Sequence, residues 1–331
     1  QDLQELRSRC FRIFYLEDEV LLELCGSPAN PDTQQQIVSR CLPQLFPGWS
    51  KAIFARQLVS AGTPSGLEQR TSSKRIPSKR MPVHSDLVIT AAQPTGPALQ
   101  LLEAVPLHLP VQEWLYRLEE MVAKSFAAAL RQESPHHWRS KEINMLRCQI
   151  EKQSFEQSNR DHLPEHVDVT AERIRWTYIV EAWANLPEAI DLLMAYVEHR
   201  VKEEVARNNA IANKESCAGA VLTLMLELRQ LLSTAKEHQQ EAQELKFLRM
   251  AWRSAESLAV ELGPLILEFG WELYGGDELI CPATERCYVE LSQHLSSLTC
   301  PVLQGSLGST VTRAFAACCG IACHQCYILE P

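Results

Sequence analysis

Residues 111–130, VQEWLYRLEEMVAKSFAAAL, repeat apolar side chains at intervals of three and four positions. These apolar positions are Val111, Trp114, Leu115, Leu118, Met121, Val122, Phe126 and Leu130. An α-helix turns once every 3.6 residues, so this spacing collects the side chains on one face. The stretch predicts an amphipathic helix with one buried face, and it indicates a mainly α-helical chain.

The pattern continues toward the C-terminus. AERIRWTYIVEAWANL (171–186) predicts a second helix, which Pro187 interrupts, and PEAIDLLMAYV (187–197) allows a new helix start. Another helix is predicted over 220–232. A last one is marked by the apolar positions Leu245, Leu248, Ala251, Ala255, Leu258 and Leu262.

These patterns together predict that residues 111–262 form a chain of packed helices. Five side chains on the apolar stripes should face inward. They are Trp114, Leu118, Ile174, Leu248 and Leu258.

Residues 1–110 differ in composition from the helical part. FRIFYL (11–16) predicts a short extended run, and EDEVLLEL (17–24) predicts a helix whose acidic first turn suits the positive end of the helix dipole. Residues 60–110 are rich in proline, serine and glycine. Within them, DLVITAA (86–92) and LQLLEAVPL (99–107) predict a β-hairpin or a small strand pair.

Bulk composition excludes several classes of protein. A chain of 331 residues with 46% hydrophobic residues can bury a sizeable core over two or three domains. Its net charge of -9 argues against nucleic-acid binding, which needs a clustered positive field. The longest apolar run, 218–226, is far shorter than the ~20 residues that cross a bilayer, so no membrane partner is expected.

Cysteine usage and the start of the chain point to an intracellular protein. The chain begins at Gln1, as a fragment would, and no secretory signal pattern follows it. Twelve scattered cysteines then predict reduced thiols. The cluster CCGIACHQC (318–326) lacks a second C-x-x-C pair, so we expect no bound metal there. The basic segment 70–80 is interpreted as a solvated loop, with a nuclear-localisation or anion-binding patch as the alternative.

The C-terminal segment has the element order of an α/β nucleotide-binding module at its beginning. LICPATERCYVEL (279–291) predicts a strand-like start, and a helix-like stretch, a glycine-containing loop, a further helix and the apolar run CYILEP (326–331) come next. The loop is PVLQGSLGSTVT (301–312). A phosphate-binding loop reads G-x-x-x-x-G-K-[ST], which Gly308 and Thr310 fit, but Leu303 and Ser309 replace the first glycine and the lysine. This match alone favours an ordinary turn.

Several stretches in order resemble the dynein heavy chain family. FRIFYLEDEVLLEL is similar to its linker stretch FYFLSDDELLEIL, and VQEWLYRLEEM to VEKWLLEVEEM. AERIRWTYIVEAW is similar to SQIYWTKEVEEA. The strongest match is LEFGWELYGGDELICPATERCYVELSQHL (267–295), which resembles the stretch that leads into the first AAA+ module and its loop GPAGTGKTET.

The resemblance assigns roles in a degenerate phosphate loop. Leu303 and Ser306 fall on glycines, Gly308 on the last glycine, Ser309 on the lysine and Thr310 on the magnesium-binding threonine. The residues that the resemblance places at the nucleotide site are Leu279, Ile280, Pro282, Gly305, Gly308, Ser309 and Thr310. Ser309 carries no positive charge, so we expect no cofactor, or at most weak binding of ATP and magnesium.

The resemblance also implies an architecture and a function. It implies an N-terminal linker segment over 1–110, a helical linker over 111–270 and an incomplete α/β P-loop (AAA+) module over 271–331. The predicted function is that of a non-catalytic structural or assembly component. Its predicted location is the cytoplasm, the cytoskeleton or the ciliary axoneme. Its partners would be the rest of a dynein-like ring and dynein intermediate or light chains, with microtubules contacted only indirectly. The alternatives are part of an ATP-driven motor whose hydrolysis occurs in modules outside this chain, and an unrelated helical scaffold.

Overall fold

The protein is described from a computed structural model. The described residues are 3–26, 30–58, 85–94, 96–133, 144–148, 150, 163–211, 219–245, 248–254, 256–262, 265–274, 282–297, 299–301, 303, 308–321 and 323. Within them the chain is mainly α-helical, with two small antiparallel sheets of three strands each. The basic segment 70–80 and the run 326–331 lie outside the described residues.

Helices and strands follow one another in this order. The N-terminal part contains α1 (Leu3–Arg9), a 3-10 helix (Phe11–Tyr15), α2 (Asp18–Cys25) and α3 (Pro31–Leu45). The first sheet comprises β1 (Lys51–Leu58), β2 (Ser85–Gln93) and β3 (Leu99–Pro106). Four longer helices come next: α4 (Val111–Glu133), α5 (Glu165–Trp183), α6 (Ala189–Ile211) and α7 (Gly219–Glu237). The second sheet contains β4 (Arg249–Trp252), β5 (Leu258–Leu262) and β6 (Leu265–Glu268), and α8 (Pro282–Ser296) and α9 (Gly308–Cys319) follow it.

The long helices confirm the prediction from apolar periodicity. α4, α5, α6 and α7 cover the four predicted helical stretches between 111 and 232, and α2 covers the acidic stretch near the N-terminus. The structure adds α3, whose start is stabilised by Asn30, because the Asn30 side chain accepts a hydrogen bond from the Asp32 amide at 3.0 Å. All five side chains predicted to face inward are buried.

The prediction of a helix across 245–262 is wrong, because this range contains β4 and β5. Met250 and Trp252 in β4, and Leu258, Val260 and Leu262 in β5, are buried and alternate with less buried neighbours over most of each strand. β5 pairs with both β4 and β6 in antiparallel register. Alternation with a period of two is the pattern of a strand, and the serine-rich turn at 253–257 leaves no stretch long enough for a helix.

The prediction of an extended run at 11–16 is also wrong. Residues Phe11–Tyr15 form a 3-10 helix, in which the Ile13 amide donates to the Cys10 carbonyl at 3.1 Å. This conformation buries Arg12 and Ile13 and leaves Phe11 and Phe14 exposed. The buried interactions of Arg12, described below, determine the local conformation more strongly than the extended propensity of the aromatic residues.

The strand pair predicted within 60–110 is confirmed by β2 and β3, and β1 adds a third strand that the sequence did not indicate. β1 pairs with β2 along its whole length, with Lys51 opposite Gln93 at one end and Leu58 opposite Ser85 at the other. On the other side of the sheet, helix α4 covers β3, where the Leu102 amide donates to the Ser125 hydroxyl at 2.9 Å. α4 therefore satisfies a backbone group at the outer edge of β3.

Two hydrophobic cores hold these elements together. The larger core includes residues from the N-terminal helices, both sheets, α4, the first half of α5, α8 and α9, and it crosses the predicted boundaries at 110 and 270. The smaller core packs the second half of α5 against α6 and α7. None of the helices in the described ranges is long and apolar enough to cross a membrane.

Candidate functional site

The residues that the resemblance places at the nucleotide site are only partly described. Leu279 and Ile280 lie outside the described residues, and so does Gly305 of the loop. The strand-like start predicted over 279–291 is wrong from Pro282 onward, because α8 begins there and these residues are helical. A proline suits this position, because the first residue of a helix needs no backbone donor.

The end of the predicted phosphate loop lies at the start of α9. A phosphate loop at this position would lead into a helix that starts near Ser309, and the observed helix begins one residue earlier, at Gly308. Ser309 is exposed, whereas Gly308 and Thr310 are half-buried. Residues 299–301 and 303, the described part of the segment between α8 and α9, form no strand. A helix start is therefore present at this position, and no strand is found in the described part of the segment.

The start of α9 offers backbone donors but no positive side chain. Its first turn consists of residues 308–311, which carry no charge. The nearest basic residue along the helix is Arg313. Leu303 packs against the larger core, and a Cβ added to Gly308 would lie 3.5 Å from the Leu303 Cβ. An apolar side chain therefore lies beside the helix start, where a phosphate site needs close backbone approach and charge.

The C-terminal end of α9 is fixed by a tight turn. The Ile321 amide donates to the Ala316 carbonyl at 2.9 Å and the Gly320 amide to the Ala317 carbonyl at 3.1 Å, the two hydrogen bonds of a Schellman cap. Gly320 has φ 61°, and a Cβ there would lie 2.6 Å from the ring of Phe269. Glycine is required at 320 for both reasons.

Residues 269–274, which we name the exit segment, leave the second sheet and bind this end of α9. The Gly270 amide donates to the Cys319 carbonyl at 2.9 Å, and the Glu272 amide to the Gly320 carbonyl at 2.8 Å. The Tyr274 hydroxyl donates to the Ile321 carbonyl. Trp271, between the first two bonds, has φ 63°, a left-handed conformation that is costly for a side chain of this size.

His166 of α5 joins the exit segment to α9. Its Nε2 lies 2.9 Å from the Ala317 carbonyl, and its Nδ1 accepts from the Tyr274 amide at 3.2 Å. A carbonyl only accepts and an amide only donates, so the imidazole is neutral with its proton on Nε2. Burial lowers the pKa of His166 to about 4, which keeps the ring in this form.

Arg12 of the 3-10 helix anchors the opposite side of the exit segment. Its guanidinium is buried, forms ion pairs with Glu119 of α4 and Glu272, and donates to the Leu45 carbonyl at 2.8 Å. It also lies 4.3 Å from the centre of the Phe46 ring. Sequence reasoning missed this residue, although a single arginine within the apolar run FRIFYL was a signal for a buried charge.

A second buried charge network connects α5 to α6 and was also missed. Arg200 donates to Glu172 and to Glu204, each at 3.2 Å, and the Tyr196 hydroxyl donates to Glu172. Burial raises the pKa of Tyr196, and the neighbouring Glu172 raises it further. These groups are closed off from solvent, so their arrangement serves helix packing rather than chemistry on a substrate.

The cysteine cluster shows no ligand set in its described part. Cys318 and Cys319 are buried at the end of α9, and burial raises the pKa of the Cys319 thiol. His324 and Cys326 lie outside the described residues. Across the described ranges, no three histidine, cysteine or acidic side chains converge as metal ligands would.

Around α9, the described residues thus form an anchored helix with a neutral, uncharged start. The hydrogen bonds of His166 and of the exit segment all meet its last turn, opposite the predicted phosphate position. This geometry can hold α9 in place, but it supplies no cation for a phosphate group. Comparison of the chain with protein-family models and with curated proteins finds no match.

Proposed function

We propose that this chain is a dynein heavy chain-like segment, made of a helical linker and the beginning of a first AAA+ module, and that it acts as a non-catalytic structural component. The proposal rests first on the sequence stretches that resemble the family, which occur in the family's order along the chain. The mainly helical fold is compatible with a linker. The proposed partners are the rest of a dynein-like ring and dynein intermediate or light chains on the cytoskeleton or in a cilium.

The observation that carries the non-catalytic part of the proposal is the start of α9. Ser309, at the position that the resemblance gives to the phosphate-binding lysine, is exposed and uncharged. Leu303, at the position of the first glycine, packs against the hydrophobic core. Phosphoryl transfer depends on positive charge around the β- and γ-phosphates, and this helix start lacks it.

The missing charge sets the expected affinity. A hydrogen bond to a charged group contributes about 1.5–3 kcal/mol, so its loss weakens binding roughly 10- to 150-fold. A phosphate loop that binds ATP with a Kd of about 10 μM would then bind it with a Kd of roughly 0.1–1.5 mM, before any effect of Leu303. The chain should bind magnesium-ATP no better than this and hydrolyse none.

Calorimetric titration with magnesium-ATP tests the proposal. The unmodified chain is compared with Ser309→Lys, which restores the charge, and with Ser309→Gln, a matched variant that adds length without charge. We expect about a tenfold or greater gain in affinity for the lysine variant alone. Micromolar binding by the unmodified chain would contradict a degenerate site, and equal behaviour of the two variants would show that missing charge is not the cause.

A further inference from the structure

A groove of about 550 Å³ lies beside the exit segment, and Ile321 at the end of α9 also lines it. Its walls come from the 3-10 helix, the residue that follows α3, the middle of α4 and the exit segment. We define the groove by six of its lining residues: Phe11, Phe46, Tyr116, Glu119, Glu120 and Trp271. The volume falls in the range of pockets that enclose a small molecule or a few side chains of a peptide.

Two aromatic side chains of the groove are unusually exposed. Phe11 is 56% and Tyr116 is 68% accessible to solvent in the described part of the chain. Most of the groove surface is apolar. Large aromatic rings that stay in water beside a concave apolar surface are typical of protein interaction sites, since they supply contact area at little cost in side-chain entropy.

Carboxylates outnumber cations in the groove. Among the described residues that line it, Arg12 is the basic one, and three residues are acidic: Glu119, Glu120 and Glu272. Arg12 is already bound to Glu119 and Glu272, and Lys124, which pairs with Glu120, is not among the lining residues. The groove therefore has a net negative charge and attracts a positively charged ligand.

Trp271 forms a rigid part of the wall. Its left-handed backbone is unfavourable for a side chain of this size, and the hydrogen bonds of Gly270 and Glu272 to the end of α9 hold it in place. Its ring packs on Phe269, with ring centres 5.1 Å apart. Conformations of this kind persist where the surrounding structure fixes them, and they concentrate at binding sites.

We propose that the groove binds a basic peptide segment of a partner protein, in which an apolar side chain lies next to a lysine or arginine. The apolar side chain contacts Phe11 and Tyr116, and the basic side chain meets the free carboxylate oxygens of Glu119 and Glu120. Acidic peptides and nucleic acids are repelled by the same carboxylates. The proposal does not depend on the nucleotide site at α9, and its test is independent of ATP binding.

Selection from a phage-displayed library of random 12-residue peptides on the full chain tests the proposal. The most enriched sequence is then synthesised with a fluorescent label and titrated by anisotropy. Tyr116→Ser and Glu120→Gln change exposed groove residues, so they leave the fold intact. Their matched controls are Leu102→Ser, an exposed apolar residue on β3, and Glu113→Gln, which pairs with Arg117 on α4 as Glu120 pairs with Lys124.

We expect enriched peptides that place lysine or arginine within two positions of an aromatic or aliphatic residue. Tyr116→Ser should weaken their binding at least about fivefold, Glu120→Gln about two- to threefold, and the two controls should not change it. Absence of enrichment, enrichment of acidic peptides, or equal losses in the control variants would overturn the proposal. Sedimentation that shows a dimer of this chain, lost in Tyr116→Ser, would also overturn it, because a second copy would then occupy the groove.

Discussion

Replacing His166 with glutamine should remove a pH dependence that the buried imidazole gives to the stability of the protein. A glutamine amide can donate to the Ala317 carbonyl and accept from the Tyr274 amide, as the neutral imidazole does, but it does not titrate. Glutamine loses the aromatic contact with Phe126, whose ring centre is 5.2 Å away. This loss should cost about 1 kcal/mol at every pH.

The size of the effect follows from the two pKa values of the histidine. The pKa of His166 is about 4 in the folded protein and 6.5 in an unfolded chain. Above pH 6.5 both states are neutral, and the histidine imposes no penalty on folding. As pH falls from 6.5 toward 4, only the unfolded state gains the proton, so the native state loses stability. Linkage gives a loss of about 2 kcal/mol between pH 7 and pH 5.

Urea unfolding at pH 7 and at pH 5, followed by circular dichroism, measures this difference in both proteins. The pH dependence of stability in the unmodified protein alone is not sufficient, because burial raises the pKa of Glu227 to about 7. Protonation of that carboxyl as pH falls stabilises the native state, which opposes the effect of His166. Glu227 is present in both proteins, so it cancels when the variant is subtracted. Relative to the unmodified chain, His166→Gln should gain about 2 kcal/mol from pH 7 to pH 5. Parallel behaviour of the two proteins would refute the assignment of a buried neutral histidine.

Two further substitutions test the contacts of the exit segment. Gly320→Ala forces a left-handed alanine against the Phe269 ring and should destabilise the chain by about 2–5 kcal/mol. Its control is Gly219→Ala, where an added Cβ meets no atom within 4 Å, and this variant should change stability by less than about 0.5 kcal/mol. Arg12→Ala leaves two carboxylates without their partner and should cost about 3 kcal/mol, whereas the exposed Arg40→Ala should cost less than about 1 kcal/mol. Urea unfolding measures all four, and similar losses in a variant and its control would contradict the described contact.

Long helices could be predicted from the sequence, and short strands could not. α4 repeats its apolar pattern over more than five turns, so accidental agreement with helical spacing is improbable. β4 and β5 contain 4 and 5 residues, and such short apolar runs match a helical spacing as easily as a strand. The alternation of Met250 with Trp252, and of Val260 with Leu262, was the signal that would have separated the two.

The candidate site was predictable only where a local pattern defines it. The motif placed a helix start near Ser309, within one residue of the observed start at Gly308. The partners of Arg12, His166 and Trp271 could not be found in this way, because they include residues more than one hundred positions away along the chain. A sequence pattern reports on neighbours within a few turns, whereas these contacts depend on tertiary packing.

The way in which α9 is held has a mechanical consequence. Four hydrogen bonds, from His166, Gly270, Glu272 and Tyr274, join its last turn to α5 and the exit segment. A force that pulls α9 away from the second sheet would load these bonds in parallel, so none could break before its neighbours share the strain. The C-terminal end of α9 would then resist deformation, and α9 and the second sheet would move as one rigid unit under an applied force.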